Sequence, residues 1–194
     1  MNLPNRITLT RICLIPVFAA VFYIEAIPYN FLISAVLFLL AASTDFLDGY
    51  IARKRGLVTN LGKFLDPIAD KVLISTAMIL LLTRPLCFQA VGGWGIIAAG
   101  GMVALILARE LIVSGFRMIA AGQNVVLAAD NLGKLKTVAQ DFAMSVLIMV
   151  MPFLDTKTGE VFNYIGLAAF ALSAVLTVWS GINYIVKNRE VLKD

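Results

Sequence analysis

The chain has 194 residues, of which 60% are hydrophobic and 14% charged, with a mean hydropathy of +0.90; soluble domains run at about 45–50% apolar and about 25% charged. That composition describes an integral membrane protein, short enough for one bundle spanning residues 1–194. The absence of histidine excludes Ser-His-Asp and Cys-His nucleophiles, histidine-ligated zinc and phosphodiester transfer through histidine.

Basic Arg6 and Arg11 precede the first apolar run, the pattern of a secretory signal. No small-x-small cleavage site follows, and Pro28 and Tyr29 lead into further apolar sequence, so a retained first helix is expected. A membrane-spanning helix needs about 20 mostly apolar residues. Six segments qualify, at about 7–25, 30–52, 64–83, 93–119, 133–153 and 161–187. Asn5 to Arg11 reads as an interfacial turn feeding the first span. Cys13 and Cys87 lie far apart without metal-site spacing and read as apolar filler.

Lys and Arg fall on the cytoplasmic side of membrane proteins. With six spans, one side holds fourteen of the sixteen basic residues, and the other only Arg84 and Lys157. Both termini and the basic loops are therefore expected in the cytoplasm. Topology accounts for the net charge of +4 without a nucleic-acid partner.

Between the second and third spans stands TDFLDGYIARKRGLVTNLGKFLDPIADK, residues 44–71. A carboxylate at the bilayer centre costs about 2.5–3.5 kcal/mol on insertion scales, yet this stretch keeps Asp45, Asp48, Asp66 and Asp70. Asp45, Asp48, Gly49 and Ala52 share one helical face at i, i+3, i+4 and i+7, and Gly62, Asp66 and Asp70 nearly share another. A short connection makes the two helices antiparallel neighbours, so the four carboxylates are expected to converge. Together they would repel, and some would protonate, unless cations balance them. An all-oxygen donor set suits Mg²⁺ or Mn²⁺ first and Ca²⁺ second. Four aspartates suit two ions, a device used for displacement at phosphorus. Gly49, Ala52 and Gly62 leave room for a backbone-close ligand or permit close helix packing. Arg53 suits a phosphate. Pro67 either starts the third helix or kinks it.

The pattern Asp45-x2-Asp48-Gly49-x2-Ala52-Arg53-x8-Gly62-x3-Asp66-x3-Asp70 resembles the complete signature of the CDP-alcohol phosphatidyltransferases. The resemblance implies an all-α fold of six transmembrane helices, a homodimer, and a dinuclear metal site between helices 2 and 3 at the cytoplasmic face. It implies transfer of a phosphatidyl or similar group from a CDP-linked lipid to an alcohol, with release of CMP. By position, Asp45, Asp48, Asp66 and Asp70 would hold the metals and Asp70 would also be the general base. Asp48, Gly49, Ala52, Arg53 and Gly62 would line the CDP site. Phosphoryl transfer asks mainly for positioning and charge neutralisation, and a histidine-free chain needs a carboxylate as base.

The acceptor is read from ARELIVSGFR and GKLKT. Arg109 and Arg117 stand about 80° and roughly 12 Å apart on one helix, so the two alone do not reach one phosphate, whereas Arg117 and a lysine of the next helix could. Lys134 and Lys136 are about 200° apart, which turns only one to the site. The plainer reading is anchoring and snorkelling at the membrane surface. As a ligand site, this cluster favours a phosphorylated acceptor such as glycerol 3-phosphate. The opening NLPNRITLTR and these two runs are similar to the family members that form phosphatidylglycerophosphate in the bacterial cell membrane. Inositol phosphate, serine and phosphatidylglycerol are the alternative acceptors. Glu110 is expected to pair with Arg109 or with another helix. Asp141 is expected to neutralise Arg109 or Arg117, or else to bind an acceptor hydroxyl. A divalent-cation transporter is the competing class, but it needs polar residues along the depth of several helices, and these acids lie toward one face.

Overall fold

In the computed structural model the described residues are 3–55, 59–122 and 131–189, and within them several side chains, those of residues 45–55 among them, lie outside the description. Six long helices follow one another: α1 (Leu3–Tyr23), α2 (Asn30–Arg55), α3 (Asn60–Leu82), α4 (Gly95–Gly122), α5 (Asn131–Val150) and α6 (Lys157–Lys187). Short 3₁₀ segments at Pro85–Val91 and Met151–Phe153 follow α3 and α5. The described residues contain no strand. Each expected segment corresponds to one helix.

Length and composition qualify α1, α4, α5 and α6 as membrane spans, among the described residues. Leu65–Leu82 of α3 qualifies together with Pro85–Val91, which is bent from it by 73°, and Asn30–Thr44 of α2 is a shorter apolar stretch among the described residues. The chain is thus a multi-pass membrane protein.

The first three helices pack on one another, α2 and α3 touching as expected and α1 lying against both. α1 is helical from Leu3 on, so Asn5 to Arg11 is helix rather than a surface turn. The second half is built on the α5–α6 interface, with α4 against α6, and contacts of α2 with α5 and of α3 with α4 and α5 join the halves. Phe18, Phe22, Phe38, Met78, Leu147 and Phe170 are fully buried in the main core.

Lipid tails are as apolar as leucine, so packing in a bilayer favours close approach of small residues. α6 shows this, burying Gly166, Ser173, Ala174, Thr177, Ser180 and Gly181 while exposing Leu172, Val175, Trp179 and Ile182. A Cβ at Gly166 would lie 2.8 Å from Leu147 Cδ2 of α5. Gln140 Nε2 of α5 donates to Thr177 Oγ1 across the same interface at 3.2 Å.

Candidate active site

α3 begins at an N-cap, Thr59, whose hydroxyl accepts from the amide of Gly62 and satisfies a donor that the first turn would otherwise leave open. The same hydroxyl donates to Asn5 Oδ1 of α1 at 2.9 Å. Gly62 is what allows this approach, because a Cβ there would lie 2.9 Å from Asn5 Oδ1 and 3.2 Å from Thr59 Oγ1. Asn5 thus fills the space beside Gly62. Pro67 lies inside α3, past its first turn, so it does not start the helix.

Asp66 and Asp70 project from α3 one turn apart, both partly buried. Thr8 Oγ1 of α1 donates to Asp66 Oδ1 at 2.7 Å. Three residues on, Arg11 has no exposed surface and its Nε donates to Thr44 Oγ1 of α2 at 3.1 Å. Asn5, Thr8 and Arg11 therefore form one buried polar face of α1, directed at the ends of α2 and α3 where the aspartates stand. The sequence reading missed it, although polar residues at i, i+3 and i+6 before an apolar run were the available signal. Arg11, expected at the surface, is inside.

α2 is helical through Arg55, which gives Asp45, Asp48, Gly49, Ala52 and Arg53 the helical register assumed for them; their side chains lie outside the described residues. Among the described residues no three Asp, Glu or Cys side chains gather as a metal group, and Asp66 and Asp70 are two of the expected four ligands. Both are carboxylates and the polar neighbour of Asp66 is a hydroxyl, so the donor set fits a hard divalent cation.

Asp70 also lines a cleft of about 580 Å³ bounded by α3, α4, α5 and α6. Arg109 and Arg117 of α4 and Lys134 and Lys136 of α5 all reach this cleft, as does Lys71. Both lysines of α5 therefore line it, where the helical angle had turned only one inward: Lys136 is buried and Lys134 stands exposed. Five cations against Asp70 and Glu110 leave an excess of three positive charges. Such a wall suits a multiply charged anion.

Four of these cations have named partners. Glu110 Oε1 accepts from Arg109 Nη1 at 3.2 Å and from Lys136 Nζ, so it pairs with its neighbour and with another helix at once. Lys71 Nζ donates to Ser114 Oγ. Arg109 Nη2 donates to Ser180 Oγ at 2.8 Å and Arg117 Nε to the Tyr184 hydroxyl at 3.1 Å. Asp141 lines a smaller void with Asp70, Lys71 and Lys136. Lys71, Ser180 and Tyr184 were not foreseen. In sequence Ser180 and Tyr184 are single polar residues in an apolar helix, and only the packing of α4 on α6 gives them meaning.

A membrane helical bundle with carboxylates beside a cation-lined cleft fits a membrane enzyme acting on anionic substrates. The profile of the CDP-alcohol phosphatidyltransferase family matches residues 1–179. The chain is 43% identical to the CDP-diacylglycerol–glycerol-3-phosphate 3-phosphatidyltransferase of Bacillus subtilis (strain 168), covering 99% of this chain and 97% of that one. The enzyme of the same name from Rickettsia bellii (strain RML369-C) is 40% identical over 94% and 93% of the two chains, and that of Shigella flexneri serotype 5b (strain 8401) 36% identical over 100% and 98%. The chain belongs to the CDP-alcohol phosphatidyltransferase family. Members of this family generally depend on divalent cations.

Proposed function

We propose that the chain transfers the phosphatidyl group of CDP-diacylglycerol to glycerol 3-phosphate, forming phosphatidylglycerophosphate and CMP. The observation that carries this reading is that Asp70 lines the same cleft as Arg109, Arg117, Lys134 and Lys136, and the full-length relatives bear that enzyme's name. A phosphorylated acceptor anchored on the cations would have a hydroxyl for Asp70 to deprotonate.

In the proposed step the acceptor hydroxyl oxygen attacks the phosphatidyl phosphorus, the bond from that phosphorus to the CMP oxygen breaks, and the hydroxyl proton passes to Asp70. Bound divalent ions would neutralise the pyrophosphate and stabilise the departing CMP. Asp45, Asp48, Asp66 and Asp70 would hold two such ions, Mg²⁺ or Mn²⁺. Thr8 would fix the orientation of Asp66, as partners of metal-ligating carboxylates do. Asp48, Gly49, Ala52 and Arg53 would receive the CDP moiety. Gly62 would line the CDP site with them, and its missing side chain also lets Asn5 of α1 close on α3.

The reading also takes residues 1–194 as one transmembrane domain with six membrane crossings. It places the active site between α2 and α3 at the cytoplasmic face of the cell membrane, both termini on that side, and two chains as a homodimer. Fourteen of sixteen basic residues on one side of a six-span topology support the orientation.

The test is CMP release from CDP-diacylglycerol by purified protein, with Mg²⁺ or with chelator, offered glycerol 3-phosphate, inositol 1-phosphate, serine or phosphatidylglycerol. Metal-dependent release with glycerol 3-phosphate alone is expected. Release with a different acceptor instead would overturn the substrate assignment, and release with none of them the transferase reading.

A further inference from the structure

The two arginines of the cleft have a geometric problem that α4 does not solve by itself. They stand two turns apart, about 80° around the helix and roughly 12 Å along it, and long flexible side chains lose several rotamers when fixed. On α6, three residues within little more than one turn meet them both. Ser180, which is buried, accepts from Arg109 Nη2 at 2.8 Å. Gly181 lies directly beneath the Arg109 stem: a Cβ there would stand 2.7 Å from Cγ and 2.8 Å from Nε. Tyr184 accepts from Arg117 Nε at 3.1 Å and lays its ring 5.1 Å from Arg117 Cζ.

We infer that Ser180, Gly181 and Tyr184 are positioning residues for the acceptor phosphate: α6 is the template that sets the two arginines of α4 as one anion-binding unit. This rests on the proposed reading of the cleft as the acceptor site. Gly181 is the informative position. Arg109 is tethered at Nη1 by Glu110 and at Nη2 by Ser180, so a methyl group at residue 181 would push on a stem whose far end is held at two points. The missing side chain at residue 181 is therefore space for the arginine. Glycine serves here through close approach, since its backbone is ordinary helix.

The experiment is steady-state kinetics on the purified full-length protein, varying glycerol 3-phosphate and CDP-diacylglycerol in turn. Gly181→Ala is expected to raise KM for glycerol 3-phosphate about tenfold, the scale of one hydrogen bond to a charged group, with KM for CDP-diacylglycerol unchanged. Placed in an Arg109→Ala background, Gly181→Ala is expected to add nothing, because the methyl then has nothing to displace. An unchanged acceptor KM, an equal rise for both substrates, or the same factor in the Arg109→Ala background would each overturn the inference. If Gly181→Ala does not fold, Ser180→Ala, which removes only a hydroxyl, enters the same cycle under the same criteria. Should Arg109→Ala itself leave the acceptor KM unmoved, the reading of the cleft falls and this inference with it. A large effect of Arg109→Ala beside silent variants on α6 overturns the inference alone.

Discussion

At the scale of single residues, polar groups in this chain occur where they have partners. Thr8 is buried and its hydroxyl is spent on Asp66 at 2.7 Å. A carboxylate that must hold a cation gains from a donor that fixes its rotamer, and loss of such a partner commonly costs 10- to 100-fold, about 1–3 kcal/mol, in metal affinity or activity. Thr8→Val keeps the volume and removes the donor. Titration of activity against Mg²⁺ is expected to shift to about tenfold higher concentration, with maximal activity largely recovered at saturating metal. An unchanged titration would show that Thr8 serves packing only. At the opposite end of the bundle Arg84 is contained in a similar way, by Glu25 at 3.2 Å and by the rings of Phe22, Tyr23 and Phe31. Charge near a membrane is kept where a carboxylate or an aromatic face receives it.

At the scale of elements, the apolar runs were legible because helix and span leave the same trace, about 20 apolar residues between polar ends. Each of the six segments reappears as a helix, with ends that moved by a few residues where caps such as Thr59 and Thr156 decide the boundary. The pairing of helices was less legible. A short connection suggested that α2 and α3 pair directly, which they do, but it gave no sign that α1 contacts both. Hydropathy records how apolar a face is, and α1 carries its polar face in three residues, Asn5, Thr8 and Arg11, at the very start of its run. Small residues of α6 face α5, and at Gly166 an added Cβ would lie 2.8 Å from Leu147 Cδ2. Gly166→Val is expected to destabilise the bundle by about 1–3 kcal/mol through overpacking, read as a lower Tm of the detergent-solubilised protein. A Tm equal to that of the parent would mean that α6 can move away freely.

At the scale of the whole molecule, two halves meet at one end to form a site that neither contains alone. Asp66 and Asp70 come from α3, the hydroxyl on Asp66 from α1, the cations from α3, α4 and α5, and the partners of the two arginines from α6. The spacing of the aspartates pointed to metal-dependent phosphoryl transfer because a carboxylate pattern is local in sequence. The cleft was half legible: Arg109, Arg117, Lys134 and Lys136 could be named, but their convergence depends on the α4–α6 and α3–α5 contacts. Ser180, Gly181 and Tyr184 stayed hidden because, in an apolar helix, a small or hydroxyl residue has the same appearance whether it packs or positions. The central claim is that Asp70 joins the aspartate site to the cationic cleft, so that one carboxylate serves both substrates. Formation of lipid product from CDP-diacylglycerol and labelled glycerol 3-phosphate, compared between the parent protein and Asp70→Asn, tests it most directly. The account predicts metal-dependent labelled phosphatidylglycerophosphate from the parent and a loss of at least about a hundredfold in Asp70→Asn, the low end of general-base contributions. Comparable labelling by both proteins would contradict it.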